Sequence, residues 1–203
     1  MLNAIIFLIL GLVLLVYAAD YLVKGASQIA TDLGISPLVV GLTVVAFGTS
    51  APELAVSIMS AFRGEADLAL GNVVGSNIFN VLFILGISAL IVPLIVHQQL
   101  VRFDVPIMIG ASLLLYGVSR DGNISLVDGA ALFVLALAYT AFLIRQSRKE
   151  KNAEVITEYE VEYGKHGEKP KWARNIFFIV LGLAGLILGS RWLVEGAVFI
   201  ARN

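Results

Sequence analysis

The chain has 203 residues, of which 59% are hydrophobic and 14% are charged, and its mean hydropathy is +0.90. This composition excludes an ordinary soluble domain, which needs a more polar surface. The net charge of −1 gives no reason to expect a nucleic-acid partner. Because the chain contains no cysteine, disulfides, thiolate metal sites and cysteine nucleophiles are excluded as well.

Apolar segments long enough to cross a bilayer recur along the chain. A helix of roughly 17 to 25 residues spans a hydrocarbon core of about 30 Å. We therefore predict an all-α, polytopic membrane protein with six transmembrane helices. A cleavable signal peptide is disfavoured, because no basic residue precedes the first apolar run. The six predicted spans are 4–29, 36–60, 66–92, 103–119, 126–144 and 174–200.

Basic residues are distributed unevenly among the predicted loops. Ten Lys and Arg residues fall on one side of the membrane, most of them from Arg145 to Arg174, against Arg63 and Arg120 on the other side. The positive-inside rule therefore predicts an external N-terminus and a cytoplasmic linker at 145–173. We expect an integral protein of the plasma (inner) membrane of a prokaryote.

The first and last predicted helices repeat one another. Twenty residues from Gly11 align without a gap to twenty residues from Gly182, and nine of them are identical, including the pattern Leu-Val-x-Gly-Ala-x-x-Ile-Ala. An odd number of crossings separates the two segments, so the copies must run in opposite directions through the membrane. Inverted repeats of this kind are typical of secondary transporters.

This repeat determines the predicted domains. Residues 1–144 are expected to form a first five-helix repeat with an ion-binding motif at 41–86, and 145–173 a charged linker. Residues 174–203 correspond to the first helix of an inverted second repeat, and no counterpart of residues 35–92 follows. We therefore expect this chain to be a truncated form or a proteolytic product of a longer protein, or half of a functional unit that a separate second half-transporter completes. Pairing with an inverted copy of the same chain is disfavoured by the charge bias.

A polar run interrupts the second predicted helix. The segment Gly48-Thr49-Ser50-Ala51-Pro52-Glu53 lies in an apolar stretch, and its proline removes a backbone donor, which predicts a helix break at bilayer depth. Carbonyls freed there are tolerated where they line a cavity, and they are good ligands for hard cations. Glu53 adds a full negative charge. A cation site explains this residue better than a structural carboxylate, because a charge in mid-membrane is costly.

The third predicted helix carries a matching polar face. Asn72, Ser76 and Asn80 recur every four residues, and Gly71 and Gly75 would allow another helix to come close. One carboxylate surrounded by neutral oxygens, with no nearby His or Cys, suits Na⁺ or Ca²⁺ better than zinc or copper.

Other polar residues favour structural interpretations. Ser57 and Ser60 are individually better explained by helix packing than by ion binding. Asp20 and Lys24 are expected to form an interfacial ion pair. Asp121 opens a segment similar to an EF-hand loop, but leucines occupy the positions that require glycine and the bidentate acid.

Two runs of sequence resemble the first alpha repeat of the sodium/calcium exchanger family. They are GLTVVAFGTSAPE, from Gly41 to Glu53, and GNVVGSNIFNVLFILG, from Gly71 to Gly86. The remaining predicted helices agree with the family in number, order and orientation rather than by motif. The resemblance implies ten transmembrane helices in two inverted five-helix repeats, with four ion sites near the midplane of the membrane.

The resemblance also implies a set of metal-ion ligands, all of them oxygens. Each position carries the expected residue type, and no cofactor is implied beyond the transported ions. The implied Ca²⁺ ligands are Glu53 and the carbonyl oxygen of Thr49. The implied Na⁺ ligands are Ser50, Ser76 and the carbonyl oxygen of Ala46, with Asn80 completing the centre of the site.

The expected function is secondary active antiport of Ca²⁺ against Na⁺ by alternating access. The resemblance implies that the second repeat brings a second glutamate. One Ca²⁺ or several Na⁺ can neutralise this carboxylate pair, so the two ions bind in alternation. An H⁺- or K⁺-coupled calcium exchanger stays open as an alternative, since the counter-ion depends on the second repeat. A passive cation channel is a further alternative, disfavoured by the inverted repeat. An enzyme is not expected, because Glu53 lacks a partner nucleophile or a metal triad.

Overall fold

The computed structural model describes residues 2–94, 96, 98, 100–149, 156–157, 159–161 and 171–202. Every secondary-structure element among these residues is helical. Five of the described helices are long and apolar enough to cross a membrane, and the bent pair Pro37–Thr49 and Ala51–Phe62 makes a sixth span when it is counted as one. The prediction of an all-α integral membrane protein with six spans is therefore confirmed.

Nine α-helices and three π-helical turns make up these spans. The π turns continue the helices beside them without a gap, so that Ala66–Ile91, for example, forms one span. Such turns occur frequently at functional sites. The α-helices are α1 Leu2–Asp32, α2 Pro37–Val40, α3 Ala46–Thr49, α4 Ala51–Phe62, α5 Ala66–Ile78, α6 Leu85–Ile91, α7 Val105–Val118, α8 Leu126–Ser147 and α9 Trp172–Arg202. The π turns are Gly41–Val45, Phe79–Ile84 and Leu100–Asp104.

The chain divides into two compact units. The first comprises Met1–Asn77 and Leu143–Asn203, and the second comprises Ile78–Phe142. The proposed linker at 145–173 lies largely outside the described residues. The division into a five-helix repeat at 1–144, a linker and the first helix of a second repeat therefore stays a prediction.

Helices α1 and α9 pack against each other in antiparallel directions. A Cβ atom added to Gly11 would lie 2.6 Å from the backbone nitrogen of Leu193, and one added to Gly196 would lie 2.6 Å from the carbonyl oxygen of Ala4. The start of α1 therefore lies against the end of α9. Glycine is needed at these positions because the backbones are too close for any side chain. The opposite directions predicted for the two copies are confirmed.

The contacts between α1 and α9 occur in equivalent pairs, as a two-fold relation between the two helices requires. In the repeat alignment Gly25 is equivalent to Gly196, and extending that alignment without a gap before Gly11 and Gly182 makes Asn175 equivalent to Ala4. A Cβ atom added to Gly25 would lie 2.6 Å from the carbonyl oxygen of Asn175, which reproduces the contact of Gly196 with Ala4. Two equivalent residues from the middle of each copy, Leu15 and Leu186, are both buried. The helix pair thus has an internal pseudo-two-fold axis.

Helix α4 packs on this pair. The hydrophobic core of the first unit joins Leu15 and Leu186 to Ala51 and Val56 of α4 and to Val194 of α9. Tight packing of small and branched side chains is the main source of helix association in lipid, where the hydrophobic effect between helices is weak. This core includes residues of α4 on either side of Glu53.

The second unit exposes its apolar side chains. No described residue between 78 and 142 is buried, and Leu90 and Leu126 are among its most exposed leucines. Within the unit, the Tyr139 hydroxyl donates a hydrogen bond of 3.1 Å to Oδ1 of Asp104, which ties α8 to the start of α7. An apolar surface of this kind suits contact with lipid or with further membrane helices.

Candidate ion-binding site

The second membrane span breaks where the proline run predicts. Helix α3 ends at Thr49 and α4 starts at Ala51, and the two are bent by 42°. Between them Ser50 has φ −90° and ψ 2°, and its N–H is bonded to the Gly48 carbonyl. Pro52, in the first turn of α4, has no N–H to offer the residue one turn before it. The predicted break in the helix is confirmed.

Glu53 lies in the first turn of α4, directly after this break. The N-terminal turn of a helix stabilises a negative charge. The Oε2 atom of Glu53 is nevertheless buried and has no hydrogen-bond partner among the described residues. A buried carboxylate oxygen without a donor is costly, and a bound cation would compensate it. The environment of Glu53 therefore suits a metal-ion ligand.

Asn72 connects α5 to this part of α4. Its Nδ2 atom lies 2.9 Å from the carbonyl oxygen of Glu53 and 2.9 Å from Oγ of Ser57. Ser57 thus takes part in contact between two helices, as its packing interpretation predicts. Ser60 lies one turn further along α4, where its Oγ is buried without a hydrogen-bond partner in the described part of the chain.

Three of the expected ligands lie on the last turn before the break and are exposed in this chain: Ala46, Thr49 and Ser50. The Thr49 hydroxyl donates a hydrogen bond of 3.1 Å to the Ala46 carbonyl. A carbonyl oxygen has two lone pairs, so this bond leaves the Ala46 oxygen able to meet an ion. The broken helix thus places these oxygens and Glu53 on adjacent turns.

The remaining two expected ligands follow Asn72 along the third span. Ser76 is half-buried one turn beyond Asn72, toward the break, and its hydroxyl donates to the Val73 carbonyl at 3.2 Å. Asn80 is exposed in the π turn Phe79–Ile84 and belongs to the second unit. The assignment of both residues as ligands stays a prediction.

Two other expectations concern the glycines of the third span and an ion pair in the first helix, and only the ion pair is found in the described part of the chain. A Cβ atom added to Gly71 or Gly75 would meet no described atom within 4 Å, so the expected close helix approach is not seen within this chain. Asp20 and Lys24 do form the expected ion pair, with an N–O distance of 2.7 Å and both side chains exposed.

The segment at Asp121 forms a turn. The Oδ1 atom of Asp121 accepts a hydrogen bond of 3.0 Å from the N–H of Asn123. Gly122 between them has a φ of 80°. A short turn stabilised by an aspartate side chain explains this sequence without a bound ion.

The oxygen set around Glu53 determines which ions could bind. No cluster of three or more His, Cys, Asp or Glu side chains that could hold a metal occurs among the described residues. One carboxylate with hydroxyl and carbonyl oxygens suits a hard cation such as Ca²⁺ or Na⁺.

Two ion pairs that sequence patterns did not predict join α9 to the turn between α4 and α5. Arg63 lies 2.9 Å from Glu195, and Arg202 pairs with Glu65. Within α9, Arg191 also contacts Glu195, at 3.4 Å. Partners more than 130 positions apart give no local sequence signal.

Comparison with known proteins places the chain in a family. Residues 3–145 match the family described as "Sodium/calcium exchanger protein". The chain is 41% identical to the putative antiporter CaxA of Alkalimonas amylolytica over an alignment covering 100% of this chain and 63% of that protein. It is 38% identical to the inner membrane protein YrbG of Escherichia coli K12, with 99% and 62% covered.

Two further matches carry the word exchanger in their names. The sodium/calcium exchanger MaX1 of Methanosarcina acetivorans is 32% identical, with 96% of this chain and 64% of that protein covered. A solved structure of the sodium-calcium exchanger NCX_Mj matches with a TM-score of 0.55 and 28% identity, covering 98% of this chain and 61% of that one.

In each of these comparisons the chain spans less than two thirds of the length of the protein it matches. The matched region nevertheless includes both runs that resemble an alpha repeat, as well as the broken helix with Glu53. The chain belongs to the sodium/calcium exchanger family, whose members are membrane transporters.

Proposed function

We propose that this chain forms part of a secondary active antiporter that exchanges Ca²⁺ for Na⁺ by alternating access. The observation that carries this proposal is the buried Oε2 of Glu53, which has no partner among the described residues and follows a helix break in a membrane span. We place the transporter in the inner membrane of a prokaryote, with the N-terminus outside and 145–173 in the cytoplasm.

Exchange follows from the limited negative charge at the ion site, for which Ca²⁺ and Na⁺ would compete. Glu53 would bind the cation directly, and oxygens of the neighbouring residues would replace part of its hydration shell. Since Ca²⁺ and Na⁺ would neutralise the same carboxylate, binding of one would exclude the other. The neutral ligands in this proposal are the Ala46 and Thr49 carbonyls, Ser50, Ser76 and Asn80.

A second half-transporter completes the site in this proposal. One carboxylate balances only half the charge of Ca²⁺, and the exchangers that the chain matches are longer than the chain. That second half would supply a second carboxylate together with further oxygens. The partners of this chain are then the second half, the lipid bilayer and the two ions.

The α1 and α9 pair supports the proposal of alternating access. Inverted repeats allow a transporter to adopt two related arrangements, one open to each side of the membrane. The glycine-rich contact between these helices, with its pseudo-two-fold axis, suits a pair that moves as one body past the helices carrying the ion ligands. Segments α2 to α4 would form part of the other body.

Uptake of ⁴⁵Ca²⁺ into liposomes tests this function. With the second half present, calcium inside the liposomes should accelerate uptake, because an antiporter must carry an ion outward before its site can take up the next one. With the membrane potential clamped at zero by equal K⁺ concentrations and valinomycin, a channel would show no such acceleration, and that result would contradict the proposal. Outward gradients of Na⁺, K⁺ or H⁺, imposed one at a time, then identify the counter-ion, with Na⁺ expected to drive uptake.

The chain by itself should show no exchange in the same assay, because it provides one of the two carboxylates that the divalent ion needs. Robust sodium-driven calcium uptake by liposomes containing only the 203-residue chain would show that a second half is not required.

A further inference from the structure

Asn72 differs from the other polar residues of its helix in where its side chain binds. Its Nδ2 atom reaches across to α4, at 2.9 Å from the Glu53 carbonyl oxygen and 2.9 Å from Ser57 Oγ. By contrast, Ser76 and Asn77 donate to the Val73 carbonyl of their own helix.

The orientation of the Asn72 amide follows from its partners. A main-chain carbonyl can only accept a hydrogen bond, so the nitrogen of the amide must face Glu53. The two hydrogens of that nitrogen serve one acceptor each. Both donor positions of Asn72 are therefore committed to α4, and neither bond can be replaced by rotating the amide.

The two bonds reach α4 one helical turn apart. Residues i and i+4 lie on the same face of a helix, so Glu53 and Ser57 present adjacent points to α5. Two fixed points on one face determine both the rotation of α4 about its axis and its position along that axis. The carboxylate of Glu53 projects from the same residue whose carbonyl is held.

We propose that Asn72 is a positioning residue for ion transport, which fixes the main chain of Glu53 so that its carboxylate meets the cation. This inference rests on the proposed function of Glu53 as the ion ligand. Ca²⁺ requires oxygens at about 2.3–2.6 Å, so a small rotation of α4 would remove Glu53 from the coordination shell. Residues that orient a metal ligand typically change metal affinity by about 10- to 100-fold when they are replaced.

Calcium self-exchange measures this effect without assuming any counter-ion. Liposomes containing the chain and its second half are loaded with Ca²⁺, and ⁴⁵Ca²⁺ uptake is followed at several external concentrations. Asn72→Leu keeps an apolar side chain of similar size between the helices and removes both donors. It should raise the half-saturating Ca²⁺ concentration by at least about tenfold.

Asn77→Leu is the matched control, because Asn77 is an exposed amide on the same helix whose hydrogen bond among the described residues lies within that helix, at 2.8 Å. It should leave the half-saturating concentration unchanged. Asn72→Ala is the second variant, and thermal unfolding of each purified protein reports separately on packing.

The outcomes separate three possibilities. A raised half-saturating concentration in Asn72→Leu but not in Asn77→Leu supports positioning. If Asn72→Leu and Asn72→Ala only lower the unfolding temperature or the yield, and the folded protein keeps normal half-saturation, Asn72 is structural and the inference is wrong. If Glu53→Gln also leaves self-exchange normal, the proposed ion site itself is wrong.

Discussion

Glu53 combines two requirements that conflict in the interior of a membrane. A carboxylate there is costly unless it is neutralised, yet one oxygen of this side chain is buried without a partner among the described residues. The N-terminal turn of α4 stabilises the charge only in part. In the proposed function, a bound cation would neutralise this carboxylate, and release of the cation would leave the site ready to bind another.

Removing the charge of Glu53 should therefore impair transport without preventing folding. Glu53→Gln keeps the shape and one oxygen acceptor but removes the charge, so calcium uptake should be abolished while the protein still folds. Glu53→Asp keeps the charge and withdraws it by one methylene. It should weaken uptake without abolishing it, because Ca²⁺ tolerates flexible geometry.

Glu65→Gln is the matched control. It makes the same chemical change in the turn after α4, where Glu65 pairs with Arg202. Its uptake should stay close to that of the parent protein. Liposome uptake together with size-exclusion chromatography measures both properties. Near-normal calcium flux in a well-folded Glu53→Gln protein would place the ion site elsewhere.

At the scale of helices, the pair α1 and α9 depends on glycines where the backbones touch. A side chain at Gly11 would collide with main-chain atoms of α9, the nearest of them 2.6 Å away. Main-chain atoms cannot move aside as the end of a flexible side chain can. The helices would have to separate along much of their contact.

Gly11→Ala should accordingly destabilise the protein by about 1–3 kcal/mol, the usual cost of overpacking. Gly110→Ala is the matched control in the interior of α7, where an added Cβ atom would meet no described atom within 4 Å. It should be neutral or stabilise its helix by about 0.5–1 kcal/mol. Equal unfolding temperatures for the two variants in detergent would contradict the close contact of α1 with α9.

At the scale of the whole molecule, the proposed orientation depends on the basic residues. Lys149 and Asn123 are both exposed, and they belong to loops on opposite sides in the proposed topology. Since the chain has no cysteine, a single introduced thiol can be labelled without background. In intact cells, a membrane-impermeant maleimide should label Asn123→Cys but not Lys149→Cys. Labelling of Lys149→Cys from outside would reverse the topology.

The sequence by itself determined the membrane class, the six spans, the helix break before Glu53 and the opposite directions of the two repeat copies. These features depend on composition, on proline geometry and on an alignment within the chain, all of which are local or periodic signals. The resemblance of 41–86 to an alpha repeat also identified the family before any fold was known.

Only the tertiary structure decided which polar residues meet. Asn72 stood out in the sequence as one of three residues spaced by four, and only the fold shows that it binds α4 while Ser76 and Asn77 bond within α5. The ion pair of Arg63 with Glu195 likewise depends on the packing of α9 beside the turn after α4. Periodicity states which face a residue lies on, whereas the choice of partner depends on how distant helices pack together.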